Sequence, residues 1–157
     1  MSVNVRVVKD GSKVSLKRID KMVATLKEGS GQVGVGIPDT TAGRGEGITN
    51  AQLGAIFEYG APNAGINEMP WLRTTIAENA NNFKRLQVVQ AVKMVNGAAT
   101  MADSLELLGI MAQGYVQRFV ANNGYAISEE TIKRKGSSKA LIDTGNFYQS
   151  ISYKVDP

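Results

Sequence analysis

The stretch KGSSKALIDTGNFYQSISYKV, residues 135–155, lies almost at the end of a 157-residue chain, where backbones usually fray. It reads as a basic turn, a short apolar run, a Thr-Gly corner and an alternating strand. Asp143 or Thr144 can cap a short turn of helix with Phe147 and Ile151 on its apolar side. Ser152 to Val155 then alternate as a final strand. Two partners are open to it. In GQVGVGIP, residues 31–38, Val33, Val35 and Ile37 alternate with glycines. In VNVRVV, residues 3–8, Val3, Val5 and Val7 share one side. Either pairing closes a small sheet and makes the terminus part of the core. The other way to order it is contact with something outside the chain.

Helices are expected between and after these strands. Leu16, Ile19, Met22, Val23 and Leu26 recur at helical spacing, with Ser15 as N-cap and Gly29 as stop. The glycines of residues 31–38 suggest close backbone approach or a bulge. Residues 39–50, DTTAGRGEGITN, form a polar, Gly-rich, mobile loop without phosphate-loop spacing. The next helix starts at Thr49 or Asn50, carries Leu53, Ile56 and Phe57, and ends at Gly60. APNAGINEMPWLR, residues 61–73, is expected to be non-helical because of its prolines and glycine. Within it Met69, Trp71 and Leu72 form an apolar knot. Trp71 reads either as a core plug or as an interface anchor, since Trp and Arg are enriched at binding hot spots.

Thr75 with Glu78 has capping-box spacing. The helix that follows carries Ile76, Phe83, Leu86, Val89 or Gln90, and Val92, and frays near Asn96-Gly97. Asp103 with Glu106 caps another helix, with the stripe Leu105, Leu108, Ala112, Val116 and Phe119. Gly109 and Gly114 weaken it locally and point to close packing against the preceding helix. Ser128 opens a last helix with Glu129 and Glu130 in its first turn. Lys133, Arg134 and Lys135 close it before Gly136, the order that the helix dipole favours. That order explains the basic cluster structurally, and contact with a polyanion is the competing explanation. The fold class is therefore α+β. A small, mostly antiparallel sheet of N-terminal strands and the C-terminal strand packs with about four helices, including a long helix pair, in a single domain over 1–157.

Composition narrows the chemistry. The chain is 43% hydrophobic and 20% charged, as in ordinary globular domains, and it lacks both Cys and His. Disulfides, thiolate or imidazole metal sites and Cys–His or Ser–His nucleophiles are thereby removed. Ser137 and Ser138 lie near Lys135 and Lys139, but a turn rich in glycine and charge is a poor setting for a Ser–Lys dyad. No cofactor signature appears, so function is expected in surfaces and not in catalysis. No apolar run approaches the ~18 residues of a membrane span. The N-terminus is too polar for a secretory signal, which points to a cytoplasmic setting. The net charge of +4 is mild, suited to a solvated surface or to loose contact with nucleic acid.

FEYGAPNAGINEMPWLRTTIAEN, SLELLGIMAQGYVQ and SEETIKRKGSSKALIDTGNFYQSISYKV together resemble the small neck and tail-completion proteins of long-tailed bacteriophages. The resemblance covers about residues 49–155. It rests on Glu58, Tyr59 and Gly60, on Pro70, Leu72 and Arg73, and most specifically on Lys135, Gly136, Ser137, Leu141, Ile142, Asp143, Thr144 and Gly145. Trp71 stands where Phe is usual, the Arg-Pro before it is missing, and Ala140 replaces the customary proline.

The resemblance implies a virion structural protein assembled in the host cytoplasm. It forms a ring at the head–tail junction through which DNA passes, six copies being favoured over twelve. Its partners are copies of itself, adjacent neck, portal-side or tail-tube proteins, and, weakly, passing DNA. On this reading Phe57, Tyr59, Met69, Pro70, Trp71, Leu72 and Arg73 serve the subunit interface, and Gly136, Asp143, Thr144 and Gly145 shape the turn. Arg44, Lys133, Arg134, Lys135 and Lys139 face a neighbour or the DNA channel. A sequence-independent nucleic-acid-binding domain is the alternative, although no aromatic residue is interleaved with the basic cluster.

Overall fold

In a computed structural model, residues 31–39, 47–122 and 145–156 are described, together with Asp20, Val23, Ala24, Tyr125, Glu129, Lys133 and Leu141. The expected strand at 3–8 lies outside these residues, as does most of the helix expected over 15–29. Asp20, Val23 and Ala24 are helical, and Val23 is exposed although it falls on the expected apolar stripe.

The fold is α+β. In chain order the described elements are β1 (Gln32–Gly36), α1 (Asn50–Tyr59), a short 3-10 turn (Pro62–Ala64), α2 (Trp71–Glu78), α3 (Ala80–Val95), α4 (Met101–Asn122), α5 (Asn146–Gln149) and β2 (Ser152–Asp156). The long pair is α3 with α4. β1 and β2 pair antiparallel, from Gln32 opposite Asp156 to Gly36 opposite Ser152, without interruption. The C-terminal strand thus takes the 31–38 stretch as its partner. The register has no bulge, and a Cβ at Gly34 or Gly36 would meet open space, so neither reason expected for these glycines applies.

The terminus is anchored from several sides. Phe147, Leu141 and Ile151 are fully buried with Trp71, Val116 and Val120. Burying side chains of this size stabilises by about 1.5–3 kcal/mol each. The Phe147 ring meets Trp71 edge-on at 5.2 Å and Phe57 at 5.5 Å. The Gln113 amide donates to the Ile151 carbonyl at 2.9 Å. At α1 the Asn50 amide donates to Ser150 Oγ at 2.7 Å, and that hydroxyl donates to the Asn146 carbonyl. A Gly145 φ of 81° starts α5, a left-handed conformation that suits glycine.

α1 begins as its sequence indicates. Thr49 and Gln52 form a reciprocal capping box, and Gly60 ends the helix. α2 begins four residues earlier than Thr75. Its Pro70 occupies the N-cap, where the missing N–H costs nothing. Thr75 is inside the helix, and its hydroxyl donates to the Trp71 carbonyl at 2.7 Å, so Thr75–Glu78 is not a capping box. α4 likewise starts at Met101. Thr100 caps it, with its hydroxyl accepting from Asp103 N–H and the Asp103 carboxylate accepting from Thr100 N–H. The box is Thr100–Asp103, one turn before the expected Asp103–Glu106.

α4 is the central rail, packing on β1, β2, α2 and α3. Leu105, Ala112, Val116 and Val120 line its buried stripe. Gly109 is buried against the sheet and not against the preceding helix, because a Cβ there would overlap the Tyr153 ring of β2. Gly114 faces open space. α3 is turned differently from its apolar pattern. Gln90 and Met94 point inward, whereas Val89 and Val92 are exposed.

Candidate interaction surface at the Glu58–Arg73 corner

A helix N-terminus presents backbone N–H groups with no partner inside the helix. Pro70 offers no capping side chain to α2. The acceptor comes instead from the end of α1. Glu58, only 6% exposed, accepts from Leu72 N–H at 2.8 Å and from Arg73 N–H at 3.1 Å. A carboxylate at the positive end of a helix dipole is favoured, and charge-assisted bonds of this kind are stronger than neutral ones. The Arg73 guanidinium turns back to the same corner. It pairs with Glu68 at 2.5 Å, stands 3.8 Å from Glu58, and lies over the Tyr59 ring at 5.9 Å from the centroid. The hydrogen bond to Glu68 is the main reason that Arg73 holds its proton more firmly than usual, with the Glu68 and Glu58 charges adding to it against desolvation.

The connection between α1 and α2 is folded back to make this geometry. Gly60 has φ 73°, and a Cβ there would sit 3.0 Å from both Glu68 N and Ile66 O. Only glycine fits. Ala61 and Ile66 exchange backbone hydrogen bonds at 2.8 and 3.1 Å, and Met69 N–H donates to the Phe57 carbonyl at 2.6 Å. Residues 58–60 and 70–73 are therefore one interlocked unit.

The candidate interface residues separate by exposure. Tyr59 is 73% exposed and Arg73 stands at the surface beside it. Phe57, Met69 and Leu72 are half-buried against the core, and Pro70 is half-buried at the α2 cap. Trp71 is 3% exposed, and its indole N–H donates to the Gly54 carbonyl at 2.9 Å. It is a core plug and not an exposed anchor. Gly54 lets α1 approach it, since a Cβ there would lie 3.2 Å from the indole.

Of the basic set, Lys133 is helical and exposed. Arg44, Arg134, Lys135, Gly136, Lys139, Asp143 and Thr144 lie outside the described residues. Beside α2 an open cleft of about 630 Å³ runs along the C-terminal half of α4, and Glu78, Arg118, Phe119 and Tyr125 are among the residues that line it. Burial, then the Glu58 charge, pushes the Tyr125 hydroxyl above the ordinary tyrosine range.

Sequence reasoning matched Glu58 to a motif without giving it a task. The signal was present: a helix led by Pro70 must find its cap elsewhere, and the acid of E-Y-G ends the helix before it. The exposed valines of α3 are not given by its apolar pattern, which puts Val92 inward, leaves Val89 or Gln90 open and assigns nothing to Val88. Among the described residues no group of acids is placed to hold a metal ion, and no helix is long and apolar enough to cross a membrane. No family model, curated protein or solved structure matches the chain.

Proposed function

We propose that this chain is a structural subunit of a tailed-bacteriophage neck. It assembles as a ring, six copies favoured over twelve, that joins head to tail or completes that junction around the DNA channel. The observation that carries the reading is the Glu58–Arg73 corner. The residues behind the first half of the resemblance, Glu58, Gly60, Pro70, Leu72 and Arg73, hold one rigid turn and display Tyr59 and Arg73 outward. An amphipathic aromatic and a guanidinium held on a fixed corner suit contact with another protein.

A ring subunit meets its neighbours through two different patches, so the contact closes by rotation. The partners are copies of itself and adjacent neck, portal-side or tail-tube proteins, in a virion assembled in the host cytoplasm. On this reading contact with a neighbour or the channel falls to Arg44, Lys133, Arg134, Lys135 and Lys139. With a net charge of +4, contact with passing DNA is weak and salt-sensitive, as transit requires. No catalysis and no cofactor enter this reading. Imaging of the purified chain mixed with its tail tube or portal complex tests it. A ring seated on either is expected. Absence of any ring on both, or turnover of a small molecule by the isolated chain, would remove the reading.

A further inference from the structure

α3 carries its polarity inverted. Its inner side presents Phe83, edge-on to Tyr115 of α4 at 5.7 Å, and the buried Gln90 and Met94. The Gln90 Oε1 is buried with no hydrogen-bond partner. Its outer side presents Val88, Val89 and Val92, which are 64, 51 and 56% exposed. In an isolated subunit, exposed valines and a buried amide oxygen without a partner are both unfavourable. A covering partner removes the first penalty.

The charges flanking these valines say what the partner is. From Ala80 to Val95, α3 bears Lys84, Arg85 and Lys93 and no acid. All three are exposed. α4 offers the complement on the same molecule. Leu107 and Ile110 are exposed, and the charged residues in their half of the helix are Asp103 and Glu106. The first cation after them is Arg118. One helix therefore shows an apolar stripe edged with positive charge, and its neighbour in sequence shows an apolar stripe edged with negative charge.

We infer that a second copy of this chain is the partner, with the Val88–Val92 face of α3 on one copy seated against the Leu107–Ile110 face of α4 on the next. Two unlike patches that fit each other are what a head-to-tail contact uses, and charge fixes which helix meets which. The inference deepens the ring reading and rests on it for closure into a ring. The self-contact itself is read from α3 and α4.

The absence of cysteine makes the contact directly testable. Full-length Val92→Cys protein is mixed with full-length Ile110→Cys protein under mild oxidation. The expected product is a mixed disulfide dimer in clear excess over the dimers that either protein forms alone. In parallel, Val88→Glu/Val92→Glu is compared with the parent by sedimentation. Self-association should weaken at least tenfold with the thermal melt unchanged, because these side chains are at the surface. A parent that stays monomeric up to its solubility limit overturns the inference. So does self-association untouched by the two glutamates, or failure of the mixed disulfide to exceed the homodimers. The two readings fail separately. If α3 and α4 link copies in solution but particles lacking the protein are whole, the neck reading falls and the contact stands. If the glutamate variant still forms rings at the neck, the contact falls and the neck reading stands.

Discussion

Glu58→Ala is the substitution that most directly probes the corner between α1 and α2. The carboxylate accepts two backbone N–H groups, from Leu72 at 2.8 Å and Arg73 at 3.1 Å, in a partly buried setting. Alanine leaves both donors without an acceptor at the positive end of α2. A donor stranded this way costs about 1–3 kcal/mol. Partial access of water holds the pair to about 2–4 kcal/mol in total, a large share of the 5–15 kcal/mol typical of a domain. For a chain of this size each kcal/mol moves the melting point by about 2–4 °C, so a fall of about 4–16 °C is expected. Glu58→Gln keeps one acceptor but turns an NH2 toward the other N–H, and should fall between alanine and the parent. Glu68→Gln removes only the exposed partner of Arg73 and should cost less than about 1 kcal/mol. Thermal and urea melts followed by circular dichroism supply the comparison. If Glu58→Ala melts with the parent, or if Glu68→Gln costs as much, Glu58 does not cap α2 and the corner is not held as described.

Three further outcomes follow from the packing of α4 and its neighbours. Gly109→Ala should destabilise by about 1–3 kcal/mol because its Cβ overlaps Tyr153, whereas Gly114→Ala, in open space, should stabilise by up to about 1 kcal/mol in matched urea melts. Gln90→Met replaces a buried amide whose Oε1 lacks a partner and should raise stability by about 1 kcal/mol, read from the same melts. The Tyr153 hydroxyl donates to the Glu106 carboxylate, and this bond, followed by desolvation, holds its pKa above the ordinary tyrosine value. Its protonated form is favoured by folding, so the stabilisation is present below the usual tyrosine pKa of about 10 and is lost as pH rises through the higher folded value. Tyrosinate absorbance should show two late-titrating groups, Tyr125 and Tyr153, of which Tyr153→Phe removes one.

Much of this fold is legible in the residues themselves. The alternation of Val33 and Val35, matched by that of residues 152–155, indicates two strands, but it leaves residues 3–8 open as a rival partner, and only the observed register pairs the terminus with 31–38. Thr49 and Gly60 delimit α1 because cap chemistry is local. The buried stripe of α4 follows from its period. The misreadings share one physical origin: a local signal was weighed without the partner that decides it. Pro70 reads as a barrier, although at an N-cap proline is harmless and α2 runs on from it. Thr75–Glu78 and Asp103–Glu106 have capping-box spacing but lie inside helices, where Thr75 bonds its own preceding turn. The apolar pattern puts Val92 inward, because apolar side chains usually are, and leaves Val89 or Gln90 open. The hairpin with α4 turns Gln90 and Met94 inward instead. Glu58 is the same lesson at the candidate site. Its task is set by a helix start fourteen residues away, visible only when the orphan N–H groups of α2 are counted.

Under the proposed function this chain is a structural link between head and tail. The most direct measurement is electron microscopy of phage particles made without it, together with a titre of infectious virus. Filled or leaking heads and separate tails, few joined particles, and recovery when purified chain is added back are the expected result. Normal numbers of joined, genome-retaining particles in its absence would contradict it.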